Sequence, residues 1–220
     1  MLKLITTDDG SHSLYREDLK ETYHSHWGAR GESRYVFIEQ GIGFWCSTQN
    51  PAVIRILEVG LGTGLNAWLT WQYAQRHQMT VSYAALEPYP VPASIYASLN
   101  YAEEPDEKAT FLQLHESPWS VWNEIPASFH LYKSPDTLQD FVTTDQFDVI
   151  YFDAFAPSKQ PDVWEKANIE KCYRLMSDNG ILVTYCAQGQ FKRNLASAGF
   201  DVETLPGALG KKEMVRARKN

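Results

Sequence analysis

Apolar and polar positions fall into two regimes along the chain, and the change comes near residue 53. Downstream, short apolar runs alternate with stretches of helical spacing. Val53–Val59 reads as a strand, and residues 64–77 follow as a helix, with Leu65, Trp68, Leu69 and Trp71 at helical spacing. Val81–Leu86 is the next strand, and Pro88 and Pro90 break the chain before a helix around 93–100. A short strand is expected at Phe129–Tyr132 and a near-continuous apolar strand at Phe147–Phe152. A helix over about 163–176, stopped by Asn179-Gly180, precedes a strand at Ile181–Cys186 and a helix near 190–197. Phe200–Leu205 and Glu213–Ala217 close the chain as an antiparallel hairpin. This alternation implies a mostly parallel sheet with helices on both faces, an α/β fold. Upstream, a polar segment from Thr6 to Arg34 leads into Tyr35–Glu39, a Gly41-Ile42-Gly43 turn and Phe44-Trp45-Cys46. That pattern predicts a β-hairpin in an N-terminal extension over residues 1–50, packed on a main domain over 51–220.

Composition narrows the class. At 220 residues with 44% apolar and 13% aromatic content the chain can bury a real core. No apolar run is long enough to span a membrane, and the N-terminus turns acidic too soon for a signal peptide, so a cytoplasmic protein is expected. Cys46, Cys172 and Cys186 are scattered, which suggests neither a disulfide framework nor a zinc site. His24-Ser25-His26 has no third ligand of suitable type nearby, so no metal is expected. The net charge of −7 argues against extensive phosphate wrapping. A local basic patch remains at Lys211, Lys212, Arg216 and Arg218, with Lys192 and Arg193 near it in sequence. It reads either as a tRNA contact or as guard charges on an edge strand.

The strand–helix unit at 54–66 carries the candidate chemistry. Its apolar run ends at Glu58, and Gly60, Gly62 and Gly64 follow at alternate positions before Leu65 and Asn66. Glycines let the backbone approach a ligand, and the loop's N–H groups then face it at a helix N-terminus. A dinucleotide fingerprint places its third glycine one residue later. The spacing E-x-G-x-G-x-G instead resembles the first motif of S-adenosylmethionine-dependent methyltransferases. Ligands in such sheets sit beyond the carboxyl ends of the strands, where Glu58, Glu87 and Asp153 are expected. Glu87, about twenty residues past the glycines, is placed to accept ribose hydroxyls. Asp153 opens a rigid loop, Asp153-Ala-Phe155-Ala-Pro157, that runs on to Trp164. A carboxylate there can orient an amine nucleophile and accept its proton. The plainer alternatives are a ligand-free glycine turn, a helix-capping Glu87 and a purely structural loop.

Together these segments resemble one family, the methyltransferase component of the MnmC-type tRNA wobble-uridine enzymes, including the stand-alone MnmD versions. The matching stretches are Glu21–Ser25, Gly28-Ala29, Glu32–Phe37, Gly60–Asn66, the D-A-F-A-P-x-x-x-P-x-x-W block from Asp153 to Trp164, and Gly210–Met214. The resemblance implies a class I Rossmann-like fold, S-adenosylmethionine as methyl donor, and the exocyclic amine of 5-aminomethyl(-2-thio)uridine in tRNA as acceptor. Carried over, Glu58, Gly60, Gly62, Gly64 and Asn66 hold the methionine part and Glu87 the ribose. Asp153 faces the amine, Glu32 and Ser33 close over the cofactor, and Tyr23, His24 and Ser25 line the same mouth. Phe155, Pro157 and Trp164, with Lys192, Arg193, Lys211, Lys212 and Arg216, are the expected tRNA contacts. Asp136 stands where the family's adenine-reading acid follows the third strand. The flavin-dependent oxidase of the bifunctional enzymes is not expected here. Two other readings compete: a methyl- or aminopropyltransferase on a small amine such as a polyamine, and a non-catalytic cofactor-binding subunit.

Overall fold

The computed structural model describes residues 1–49 and 51–220. Downstream of residue 53 the strands are β4 (Val53–Val59), β5 (Thr80–Leu86), β6 (Trp122–Ile125), β7 (Phe129–Ser134), β8 (Phe147–Phe152), β9 (Met176–Thr184), β10 (Asp201–Pro206) and β11 (Glu213–Arg218). They form one sheet in the order β10-β11-β9-β8-β4-β5-β7-β6. Pairings among β9, β8, β4, β5 and β7 are parallel, and β6, β11 and β10 join antiparallel at the two edges. The central strands are apolar almost throughout, because helices cover both faces. One face carries α3 (Leu65–His77) and α5 (Pro105–Glu116), the other α6 (Lys166–Leu175) and α7 (Gly189–Ala198). Strand order reverses between β4 and β8, so the crevice at the carboxyl ends of those strands is where such a fold binds ligands.

The N-terminal region differs from expectation. Residues 35–46 are not a hairpin. The chain is helical from α1 (Ala29–Ser33) through a wide-turn stretch at Arg34–Gly43 into α2 (Phe44–Gln49). Ile38, Ile42 and Trp45 are buried at helical spacing, a period hidden by the adjacent Val36 and Phe37, which are buried too. Gly41 makes no turn. It kinks the helix where that helix lies on the sheet, and a Cβ there would sit 3.0 Å from the Tyr151 ring. The antiparallel sheet of this region lies earlier, with β1 (Leu2–Thr6) leading into the polar segment and β2 (His12–Arg16) and β3 (Glu21–Thr22) inside it. Its first turn is closed by Asp9, which accepts from the Thr7 hydroxyl (2.8 Å) and the Ser11 N–H (3.0 Å). Asn50, at the expected end of the extension, lies outside the described residues.

Two further boundaries shift. The helix expected over 163–176 is a 3₁₀ turn at Pro161–Trp164 followed by α6, and β9 begins at once at Met176. Asn179-Gly180 does not stop a helix. Asn179 takes a left-handed φ of 60° inside β9, where the register against β8 jumps from Phe147↔Met176 to Val149↔Ile181. The helix expected around 93–100 is a short α4 (Ala93–Tyr96). The stretch after it, with no element expected before the Phe129 strand, holds α5, with Pro105 in its first turn and Asp106 and Glu107 beside it.

Candidate active site

The register of the central strands gathers the three strand-end acids. Val59 lies opposite Leu86 on one side and Phe152 on the other, so Glu58, Glu87 and Asp153 converge. The turn after β4 is pinned from both neighbours: the Gly60 N–H donates to Leu86 O (3.0 Å), and the Asp153 N–H donates to Val59 O (3.0 Å). Gly60 has φ of 96°, and a Cβ there would lie 2.7 Å from the Asp153 carbonyl, so the closeness of the two loops requires glycine. Above this turn opens a cavity of ≈ 880 Å³, a size that suits a nucleotide-like ligand.

Asn66, in the first turn of α3, organises the floor. Its side-chain amide donates to Glu58 Oε1 (2.9 Å) and to Asp153 Oδ2 (2.7 Å). Glu58 Oε2 and Asn66 Oδ1 are buried with no hydrogen-bond partner among the described residues. Asn66 lines the cavity, so its orphaned oxygen is open to a polar ligand there, whereas Glu58 is fully buried behind it, beside Tyr83, and does not line the cavity. Burial, reinforced by the charge of Asp153, holds the Glu58 carboxyl well above the usual carboxylate range. Burial likewise pushes Asp153 up to about 7, against the opposing pull of the Asn66 hydrogen bond. Glu87 is fastened to the loops: it accepts the Gly62 N–H at 2.8 Å and the Tyr89 N–H at 2.9 Å. Its pKa is raised, because desolvation outweighs those bonds.

The N-terminal region supplies the upper wall. The Tyr23 ring covers Gly62 and meets Phe155 edge-on at 4.9 Å between centroids. His24 is buried, bonded to the Ser13 hydroxyl at 3.0 Å, and burial lowers its pKa to about 4, so it is a neutral wall residue. Glu32 joins three parts of the chain. It accepts the Ser25 N–H (2.8 Å) and pairs with Lys211, whose ammonium lies 4.2 Å from the Tyr185 ring centroid. The Tyr185 hydroxyl in turn donates to Ala154 O at 2.8 Å. Tyr23, His24, Ser25, Glu32, Asp136, Phe155 and Lys211 all line the cavity. Asp136, directly after β7, accepts from the Ser134 hydroxyl at 2.7 Å.

Other expected residues stand elsewhere. Gly64 caps α3 beneath the cavity, against His115. Ser33 is buried behind Glu32 and does not line the cavity, and Pro157 is likewise outside it. Trp164 is no base platform. It is buried against Phe152 and Phe191, and its indole N–H donates to Phe155 O at 2.7 Å, which braces the loop from behind. Arg216 is no phosphate contact: it is 7% exposed, bonded to Glu203 (2.7 Å) and Gln40 (3.0 Å), and lies over the Phe44 ring. Lys192 pairs with Glu213, Arg193 bonds Gln190, and Lys212 is exposed. Lys211 belongs to the cavity rather than to an outer patch. No group of three metal-ligating side chains is found among the described residues. Sequence reasoning missed Arg16, Trp27 and Tyr89, which also line the cavity. Nothing local marks them, because they meet it only through the N-terminal sheet and the turn after Glu87.

Known proteins share both sequence and fold with this chain. A family described as S-adenosyl-L-methionine-dependent methyltransferase matches residues 134–220. The tRNA 5-methylaminomethyl-2-thiouridine biosynthesis bifunctional protein MnmC of Aromatoleum aromaticum is 28% identical over 98% of the chain, which covers 35% of that protein. The protein of the same name from Pseudoalteromonas atlantica is 28% identical over 89% of the chain, which covers 30% of it. The chain thus spans about a third of the length of these relatives. The crystal structure of MNMC2 from Aquifex aeolicus superposes with a TM-score of 0.80 at 22% identity, covering all of this chain and 70% of that one.

Proposed function

We propose that this chain, a methyltransferase of the MnmC type, transfers a methyl group from S-adenosylmethionine to the exocyclic amine of 5-aminomethyl(-2-thio)uridine at the tRNA wobble position. The observation that carries this reading is the cavity floor: Asn66 clamps two desolvated carboxyls, Glu58 and Asp153, beside a glycine loop tied to Glu87. When bound, S-adenosylmethionine supplies an activated methyl on a sulfonium. Glu87 has both carboxylate oxygens anchored to backbone N–H groups, and their remaining lone pairs are positioned for two ribose hydroxyls. The unpartnered Asn66 Oδ1 at the cavity accepts from a cationic amine such as that of a methionine moiety, and Glu58, buried behind it, holds the Asn66 amide. Asp136 fits an adenine amine at the far end.

The acceptor amine must be neutral to attack. Asp153, with its pKa near 7, is matched to take that proton at physiological pH, and the Asn66 amide fixes the carboxylate that receives it. Tyr23, Phe155 and Tyr185 exclude water around that transfer and shape the slot for a planar base. In this reading residues 1–50 serve as the wall of a catalytic domain over 51–220, and the setting is the cytoplasm, with tRNA as partner. Mass spectrometry of wobble nucleosides tests it, after incubating the protein and S-adenosylmethionine with tRNA carrying the unmethylated amine. A gain of one methyl on that nucleoside is expected, and its absence rules the reading out. A free polyamine is the second reading, favoured by the acids Glu21, Asp140 and Asp162 along the cavity. Methylation of polyamine but not tRNA would establish it.

A further inference from the structure

Among the cavity-lining groups still without a role are Arg16, Trp27 and Tyr89. Trp27 is 63% exposed and Tyr89 62% exposed, among the most exposed large apolar side chains of the chain. Both stand at the rim of the cavity instead of packing into the core. The Arg16 guanidinium lies 5.4 Å from the Tyr89 ring centroid and 5.8 Å from that of Phe155, and Asp18 holds it through a 3.1 Å hydrogen bond. Aromatic faces are thus presented to solvent around the entrance, with a planar cation between two of them. The Trp27 indole also lies beside Gly210, at the loop that carries the exposed Lys212.

We infer that Tyr89, Arg16 and Trp27 form a stacking subsite for unpaired nucleobases next to the one that enters the cavity. For its ligand this rests on the tRNA reading above. Every base has a π-face, so aromatic rims bind single strands with little regard to sequence, and a guanidinium plane adds to the stack. A duplex keeps its bases stacked on one another and offers the rim no face. The subsite therefore selects a loop, such as an anticodon loop, over paired RNA.

The test is fluorescence titration of the protein with an unmodified anticodon stem-loop RNA and with a fully paired duplex of equal length. Trp27 is identified by comparison with Trp27→Phe. The stem-loop is expected to quench Trp27 and the duplex is not. Tyr89→Leu should weaken stem-loop binding by about tenfold, the effect of losing one base–aromatic stack. Tyr89→Phe should restore most of it. Because Tyr89 holds Glu87 only through its backbone N–H, which both variants keep, S-adenosylmethionine affinity should not change. Both residues are surface-exposed, so the variants keep the fold, which circular dichroism verifies. Equal binding of loop and duplex, unchanged affinity in Tyr89→Leu, or a loss confined to S-adenosylmethionine would overturn the subsite. Loop-selective binding without methyl transfer would leave the subsite standing and remove the proposed reaction. Methylation of tRNA with unaltered affinity in Tyr89→Leu would do the reverse.

Discussion

At the scale of single residues, the floor of the cavity trades stability for chemistry. Asp153 binds its proton up to about pH 7 in the folded chain but releases it in the ordinary carboxylate range when unfolded. The folded state therefore holds more protons between those values, and stability contributed by the neutral carboxyl is lost as pH rises through that window. Asp153→Asn should raise the melting temperature at pH 8 by roughly 2–4 °C, the shift that about 1 kcal/mol produces in a domain of this size. Below pH 4 the gain should vanish, and calorimetry at the two pH values checks both. The same variant should lower turnover by about 10²-fold while cofactor binding persists. In the parent, kcat should climb with pH through about 7 as Asp153 ionises. A fully active Asp153→Asn enzyme would reduce the carboxylate to a structural part. At Glu87 the expected loss is in binding: Glu87→Ala should weaken S-adenosylmethionine by about 1.5–3 kcal/mol, the scale of charged hydrogen bonds, as measured by calorimetry.

At the scale of elements, the hairpin β10–β11 is held to the N-terminal helices by Arg216, which reaches Gln40 and stacks on Phe44. Arg216→Ala should lower stability by roughly 1–3 kcal/mol, because it removes the buried guanidinium's packing on Phe44 together with its hydrogen bonds to Gln40 and Glu203. The midpoint of urea unfolding reads that change. It should leave the salt dependence of tRNA binding untouched, which a phosphate contact would not. The strands β4, β5 and β8 were legible in sequence because their burial on both faces writes continuous apolar runs. The helices at 29–49 were not. Gly41 and Gly43 carry the signature of a turn, and only the nearness of Tyr151 and Val183 to Gly41 reveals that a bare backbone is needed there for packing. The sheet β1–β3 escaped for the opposite reason: its strands are short and little buried, β2 and β3 are mostly polar, and only Ser13 and Leu14 among their described positions are fully buried. Glu58, Glu87, Asp153 and Asn66 could be placed from sequence because strand ends and a loop fix them locally. Trp164 and Arg216 could not, since burial depends on what packs over them.

At the scale of the whole molecule, the charge of −7 means that any contact with RNA must be local. Of the expected basic residues, Arg216 is buried, Lys211 faces Glu32 and Lys192 faces Glu213. Lys212 and Arg193 are exposed. Replacing both with Ala should flatten the plot of log affinity against log salt by about 1.5, from roughly 0.7–0.9 per phosphate released. Filter binding of tRNA over a salt series measures it, and an unchanged slope would place the phosphate contacts elsewhere. The contact between Glu32 and Lys211 joins residues 179 apart in the chain, and it closes the cavity that the glycine loop opens. Loops that long are slow to close. On a ribosome, the wall built from residues 23–32 lacks its tie to Lys211 until the segment leading into β11 has emerged. A nascent chain can therefore hold a folded sheet centre before its cavity is closed, so the order of synthesis sets when the site is complete.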